Sequence, residues 1–257
     1  MEEKKIFVDN LEVNYKIAGS GPAVLILHGW GGSSDSWIAV QEILAKQGYK
    51  AICPDLPGFG KSKTPSRAWE VTDYAEFVNK FTRFLNIDNF FIISHSFGGR
   101  VAISFAGTYP EKLKRLVLCN SAGIKPNPGI KTRIIFQFSK IGNAIFSPKI
   151  SARFKDGARN IFYVFLRHKD YAKANGVMKE TIKKVLNEDL TQDLSKIRTK
   201  TLIVWGEKDK MVPVKYAQVF KEKIKDSQLV ILPKIGHSPH LEAPEKLSKI
   251  LIPFLKG

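Results

Sequence analysis

The stretch FFIISHSFGGRVAISFAG, Phe90 to Gly107, begins as one kind of structure and ends as another. Phe90 to Ser94 are apolar or small, as in a strand buried on both faces. From Arg100 on, Val101, Ile103, Phe105 and Ala106 suit a helix packed on a sheet. Passing from strand to helix so abruptly forces the apex residue, Ser96, into a sparsely populated backbone conformation. Its neighbours two positions away must be small, and they are Ser94 and Gly98, with Gly99 next. Such a turn projects the Ser96 hydroxyl out of the sheet, beside a helix N-terminus that favours negative charge. A serine hydroxyl is a weak nucleophile, so it also needs a base.

Outward from this turn, strands and helices alternate. KIFVD and LEVNYKIAG read as an antiparallel pair joined near Asp9 and Asn10. AVLILHG is an apolar run of the buried-strand kind, and the segment after it reads as a helix capped by Ser33 or Ser34 and stopped at Gly48. YKAICPD is a strand, and Val71–Ile87 carries Tyr74, Phe77, Val78, Phe81, Phe84 and Leu85 at helical spacing. LKRLVLCNSA closes the first series, and TLIVWGEKD, SQLVILPKIG and their helices form the last. The alternation predicts an α/β fold with a mostly parallel central sheet and helices on both faces. Residues 123–198 break it. Phe136, Phe138, Ile141, Phe146, Phe162 and Phe165 recur there among basic residues, which predicts an inserted helical cap. The core is therefore expected over 1–122 and 199–257.

The bulk properties bound the class. A chain of 257 residues, 44 % apolar and 25 % charged, fits one soluble α/β domain with an insertion. It has no apolar run of membrane-spanning length and no signal-peptide pattern at its start, so a cytoplasmic location without stable membrane insertion is expected. Cys53 and Cys119 read as reduced, buried small hydrophobes. The net charge of +17 is uneven: 1–122 carries +2, 123–198 carries +10 and 199–257 carries +5. That excess fits either a solvated lysine-rich face or recognition of an anionic substrate or acidic partner. With no nucleic-acid-binding module alongside it, nucleic acid is not expected as a partner.

Four further motifs join the serine turn. LHGWGGSSDSW (Leu27–Trp37) places His28-Gly29 at a strand end before a glycine-rich loop. DLPGFGKS (Asp55–Ser62) is a tight turn, read as structural. WGEKDKMVP (Trp205–Pro213) offers Asp209 after a strand, with Glu207 as second choice and Asn120 unable to serve as an anion. GHSPHLEAPE (Gly236–Glu245) offers His237 after the last strand. Together they resemble the α/β-hydrolase superfamily, in its serine-nucleophile branch with a helical cap. Ser94 replaces the first glycine of the usual Gly-x-Ser-x-Gly. The resemblance implies a triad of Ser96 as nucleophile, Asp209 as acid and His237 as base, in that chain order. It implies an oxyanion hole from the backbone N–H groups of Trp30 and Phe97, and neither metal nor cofactor. His28 and the cap residues Phe136, Phe138, Phe162 and Phe165 are candidates for the substrate pocket. His28 is also read as a structural loop histidine, His95 as a packing residue facing away from the base, His240 as pocket wall or surface, and His168 without a role.

The implied activity is cleavage of small-molecule carboxylic esters or thioesters through an acyl-enzyme. A serine rather than an aspartate nucleophile argues against the dehalogenase and epoxide hydrolase branches. Carbon–carbon bond hydrolases of aromatic ring-cleavage products rank second, because the places where they usually carry Gly-Pro and a tryptophan hold Gly32-Ser33-Ser34 and Ser238. Haloperoxidase-like perhydrolysis, an acidic acyl carrier protein as substrate carrier, a ligand receptor built on a hydrolase fold, and peripheral membrane contact through the basic, apolar cap are the remaining readings.

Overall fold

The computed structural model of the protein describes residues 1–125 and 176–257. Among the described residues, eight strands form one sheet: β1 (Glu2–Val8), β2 (Leu11–Ala18), β3 (Ala23–Leu27), β4 (Lys50–Pro54), β5 (Phe90–His95), β6 (Leu113–Cys119), β7 (Thr201–Gly206) and β8 (Ser227–Leu232). Their spatial order is β1-β2-β4-β3-β5-β6-β7-β8. The pair β1–β2 is antiparallel, as the opening hairpin predicts, β2–β4 is antiparallel too, and every other pair is parallel. Asp9 closes the hairpin in the left-handed region at φ 52°. Parallel strands are covered on both faces, which is why β3, β5 and β7 read as unbroken apolar runs.

The described helices are α1 (Ile38–Lys46), α2 (Val71–Phe84), α3 (Phe97–Thr108), α4 (Gly176–Asn187), α5 (Lys215–Lys223), α6 (Pro239–Glu242) and α7 (Pro244–Lys256). Ser33 caps a short 3-10 turn, Ser34–Trp37, that leads into α1, and Gly48 ends the segment at φ 82°. Helix α1 packs with α7, and α2 with α3. On the α1–α7 side, Trp37, Val40, Leu44, Leu247 and Leu251 join Val24 and Ile26 of β3 in one buried cluster. Each such large side chain removed from water contributes about 1.5–3 kcal/mol before its entropy cost.

The order of strands fixes where chemistry can sit. From β3 the chain moves to β4 on one side, then crosses to β5 on the other. The carboxyl ends of β3 and β5 therefore flank a topological switch point, where open α/β sheets bind ligands. His28-Gly29 leaves β3 there, and Ser96 leaves β5.

The chain divides into two compact units, Met1–Ile124 with Asn175–Gly257, and Lys125–Ala174. Helix α4 and the turn Asp193–Lys196, expected within the insert, thus belong with the sheet. The reason lies in their partners. Met178, Ile182 and Val185 of α4 are buried, Thr181 Oγ1 accepts from the Trp69 N–H at 3.2 Å, and Glu188 accepts from the Val71 N–H at 2.9 Å. Arg100 of α3, itself buried, donates to the Glu188 carbonyl at 3.0 Å. Helical periodicity marks a buried face but does not say which neighbour covers it. The pocket candidates Phe136, Phe138, Phe162 and Phe165, together with His168, lie outside the described residues, as do most of the basic residues behind the anionic-partner reading.

Candidate active site

Ser96 sits between β5 and α3 at φ 51° and ψ −110°, the strained apex expected of the turn. Its surroundings explain the small residues. A Cβ on Gly98 would stand 2.3 Å from the Leu27 carbonyl oxygen, and one on Gly99 would collide with the Ser121 hydroxyl. Ser94 is tolerated where a glycine is usual because its hydroxyl turns aside and donates to the Val117 carbonyl at 2.9 Å. The Ser96 N–H is tied to the Cys119 carbonyl at 3.2 Å, and its own carbonyl accepts from Ala122 at 3.0 Å.

Three residues far apart in sequence converge on this apex. Ser96 Oγ lies 3.1 Å from His237 Nε2, and His237 Nδ1 lies 2.8 Å from Asp209 Oδ2. The Asp209 side chain is fully buried, and that of His237 is 11 % exposed. Asp209 Oδ1 accepts the N–H groups of Met211 at 2.8 Å and Val212 at 2.9 Å. Oδ2 also accepts from Asn120 Nδ2 at 2.6 Å. Four hydrogen bonds fix this buried carboxylate in direction. It orients the imidazole with the proton on Nδ1, which leaves Nε2 to accept from the serine.

Asn120 was set aside in the sequence because it is not an acid, and its position explains its use. It follows β6 at φ 42°, reaches both Asp209 and the Gly236 carbonyl (3.2 Å), and accepts from the Gly206 N–H at 3.3 Å. One side chain therefore braces the loops that carry the acid and the histidine. Glu242 braces the second of these from the other side, accepting from the Gly236 N–H at 2.7 Å and the Ser238 N–H at 2.9 Å. Glu207 points away, as expected, to the Lys234 N–H at 2.9 Å.

Trp30 and Phe97 lie side by side at the apex, their rings edge-on with centroids 5.1 Å apart. Phe97 opens α3, so its N–H precedes the first intrahelical bond. A Cβ on Gly29 would stand 3.4 Å from Ser96 Cβ, which places the start of the Trp30 loop against the serine. The DLPGFGKS turn is structural as read: buried Asp55 accepts from the N–H groups of Ser34 at 2.7 Å and Lys61 at 2.9 Å, and Gly60 leaves room for its carboxylate.

The other described histidines, His28, His95 and His240, are all buried. His28, read both as a pocket candidate and as a structural loop histidine, is fully buried, as the structural reading expects. Its Nε2 accepts from the Leu56 N–H at 2.9 Å and its Nδ1 lies 2.8 Å from the Gly29 oxygen, so backbone engages both nitrogens. His95 does not face away from the base: its Nε2 lies 2.7 Å from the His237 carbonyl oxygen. His240 is not on the surface but buried, stacked on Trp37 at 4.3 Å. Burial holds all three below the usual histidine range, His95 far below that range and His240 at about 3.

No helix among the described residues is long and apolar enough to cross a membrane. Residues 22–144 and 146–244 match the family model for the alpha/beta hydrolase fold. The chain is 28 % identical to a 2-hydroxy-6-oxo-6-(2'-aminophenyl)hexa-2,4-dienoic acid hydrolase of Metapseudomonas resinovorans, over 98 % of this chain and 90 % of that one. It is 25 % identical to a monoacylglycerol lipase of Mus musculus, over 92 % and 76 %. Among solved structures, a membrane phospholipase A is similar at a TM-score of 0.78 and 27 % identity, with 100 % of this chain and 86 % of that chain covered. The extent of the family match, on a sheet of this order with a strained serine at its switch point, makes the chain a member of the α/β hydrolase fold family.

Proposed function

We propose that the protein is a serine hydrolase that cleaves carboxylic esters or thioesters through an acyl-enzyme formed on Ser96. The observation that carries this reading is the hydrogen-bonded line from Ser96 Oγ through His237 to Asp209. In this mechanism Ser96 Oγ attacks the acyl carbon as His237 Nε2 takes its proton. Asp209 stabilises the resulting imidazolium without taking the proton itself. The Trp30 and Phe97 N–H groups receive the developing oxyanion, and each such donor contributes about 3–4 kcal/mol to the transition state. The tetrahedral intermediate expels the leaving group, which takes the proton from His237. Water then attacks the acyl-enzyme by the same route in reverse roles, releasing the acid and restoring Ser96.

Similarity to a carbon–carbon bond hydrolase over nearly the whole chain supports a second reading, in which the same triad cleaves a ring-opened dienoate. Ester cleavage ranks first because Ser238 and Gly32-Ser33-Ser34 stand where that branch usually differs. A burst assay with p-nitrophenyl acetate, butyrate and octanoate, run on wild type and Ser96→Ala, tests the proposal. A stoichiometric burst and turnover that vanish in the variant are expected. Turnover that survives Ser96→Ala refutes the serine mechanism, and a wild type active only on a dienoate puts the second reading first.

A further inference from the structure

His95 ends β5, one residue before the proposed nucleophile, and is 5 % exposed. Its Nε2 lies 2.7 Å from the His237 carbonyl oxygen. A carbonyl only accepts, so this contact requires the His95 proton on Nε2 and leaves Nδ1 bare. Its ring centroid is 4.7 Å from that of His237 and 4.5 Å from that of His240. His240 is stacked in turn on Trp37, with planes 8° apart. Room for this column is built in at Gly29, where a Cβ would stand 2.8 Å from His95 Nδ1. Two other side chains hold the loop of the base, Glu242 at Gly236 and Ser238 and Asn120 at Gly236. They secure the residues on either side. His95 grips the carbonyl of His237 itself, from the strand that delivers Ser96.

We infer that His95 is a positioning residue for the general base. By donating from Nε2 to the His237 carbonyl it sets the separation of His237 Nε2 from Ser96 Oγ, the gap the proton must cross. The inference rests on the proposed roles of Ser96 and His237. His95 must also remain neutral, because a charge there would oppose the imidazolium that forms on His237. Burial keeps it so, with the rings of His240, His237 and His28 as its titratable neighbours.

Two variants separate donation from space filling. His95→Leu keeps an apolar body and removes the donor; His95→Gln keeps an N–H donor on a similar reach. With p-nitrophenyl butyrate, His95→Leu is expected to lower the acylation rate about ten-fold or more at unchanged KM, and His95→Gln to recover most of it. A residue that only fills space gives the opposite order, and Leu at wild-type rate, or Gln no better than Leu, overturns the inference. Should either variant fail to fold, imidazole 15N resonances of histidine-labelled wild type decide the matter. An Nε2–H tautomer at His95 is expected, whereas an Nδ1–H tautomer or an imidazolium at neutral pH overturns it. A wild-type burst that persists in Ser96→Ala defeats the serine reading instead, while the tautomer still tests the His95–His237 contact separately.

Discussion

Ser96 holds its backbone at φ 51° and ψ −110°, where an L side chain is strained by about 1–3 kcal/mol. In the proposed role of Ser96 as nucleophile the strain presents the hydroxyl, so stability and activity should separate at this residue. Ser96→Gly and Ser96→Ala are both expected to be inactive, but Ser96→Gly should unfold at the higher denaturant midpoint, by about 1 kcal/mol, because glycine adopts the turn freely. An alanine variant of equal or greater stability would show that the turn is unstrained. Asn120 is a second residue whose part is specific. Its amide donates to a buried carboxylate, and such bonds contribute about 1.5–3 kcal/mol. Asn120→Leu should therefore lower kcat/KM about ten- to a hundred-fold, mostly in kcat, since Asn120 acts on Asp209 and not on substrate. Steady-state kinetics with one ester read this directly, and a loss confined to KM would contradict it.

The helices show what sequence pattern reveals and what it leaves hidden. Helix α7 has a buried face of Leu247, Leu251, Phe254 and Leu255, and Ser248 beside it is 1 % exposed. Among the described residues the Ser248 hydroxyl has no hydrogen-bond partner. A buried, unpaired hydroxyl in a helix interior is costly, and alanine is the better helix former. Ser248→Ala should raise stability by about 1 kcal/mol, read as a shift in urea midpoint at constant slope, and a destabilised variant would show that the hydroxyl is needed. The strands β3, β5 and β7, and the Asp209 and His237 loops after β7 and β8, were legible in sequence because burial on both faces leaves apolar runs and the chemistry follows their ends. The attachment of α4 to the sheet unit was not, because Met178, Ile182 and Val185 define a face without naming its partner. Nor was the bond from His95 to His237, which joins residues 142 positions apart. Asn120 was visible in place, after β6, but its role depends on a loop that only the folded chain brings to it.

Across the whole molecule, the buried histidines make folding sensitive to acid. His28, His95 and His240 are buried with their ionisation suppressed, His240 to about 3, while in the unfolded chain each titrates near its ordinary value of about 6.5. Between those values the unfolded state binds protons that the folded state refuses, so stability falls as pH falls. The sign is that of a depressed folded pKa: the contribution is complete above about 6.5 and is lost progressively toward about 3. For His240 alone the loss between about pH 7 and about pH 5 is about 2 kcal/mol, and His28 and His95 act in the same direction. This window lies above the ordinary carboxylate range, so the acids contribute little to it. Urea unfolding at these two pH values should show the wild-type midpoint dropping steeply, and His240→Gln should drop by about 2 kcal/mol less. The variant has the same Asp209, His237 and Ser96, so its activity reports separately on whether the ring column beneath the base survives. An unchanged pH dependence in His240→Gln would mean that His240 titrates alike in the folded and unfolded chain, and that the stack on Trp37 admits an imidazolium at about pH 5.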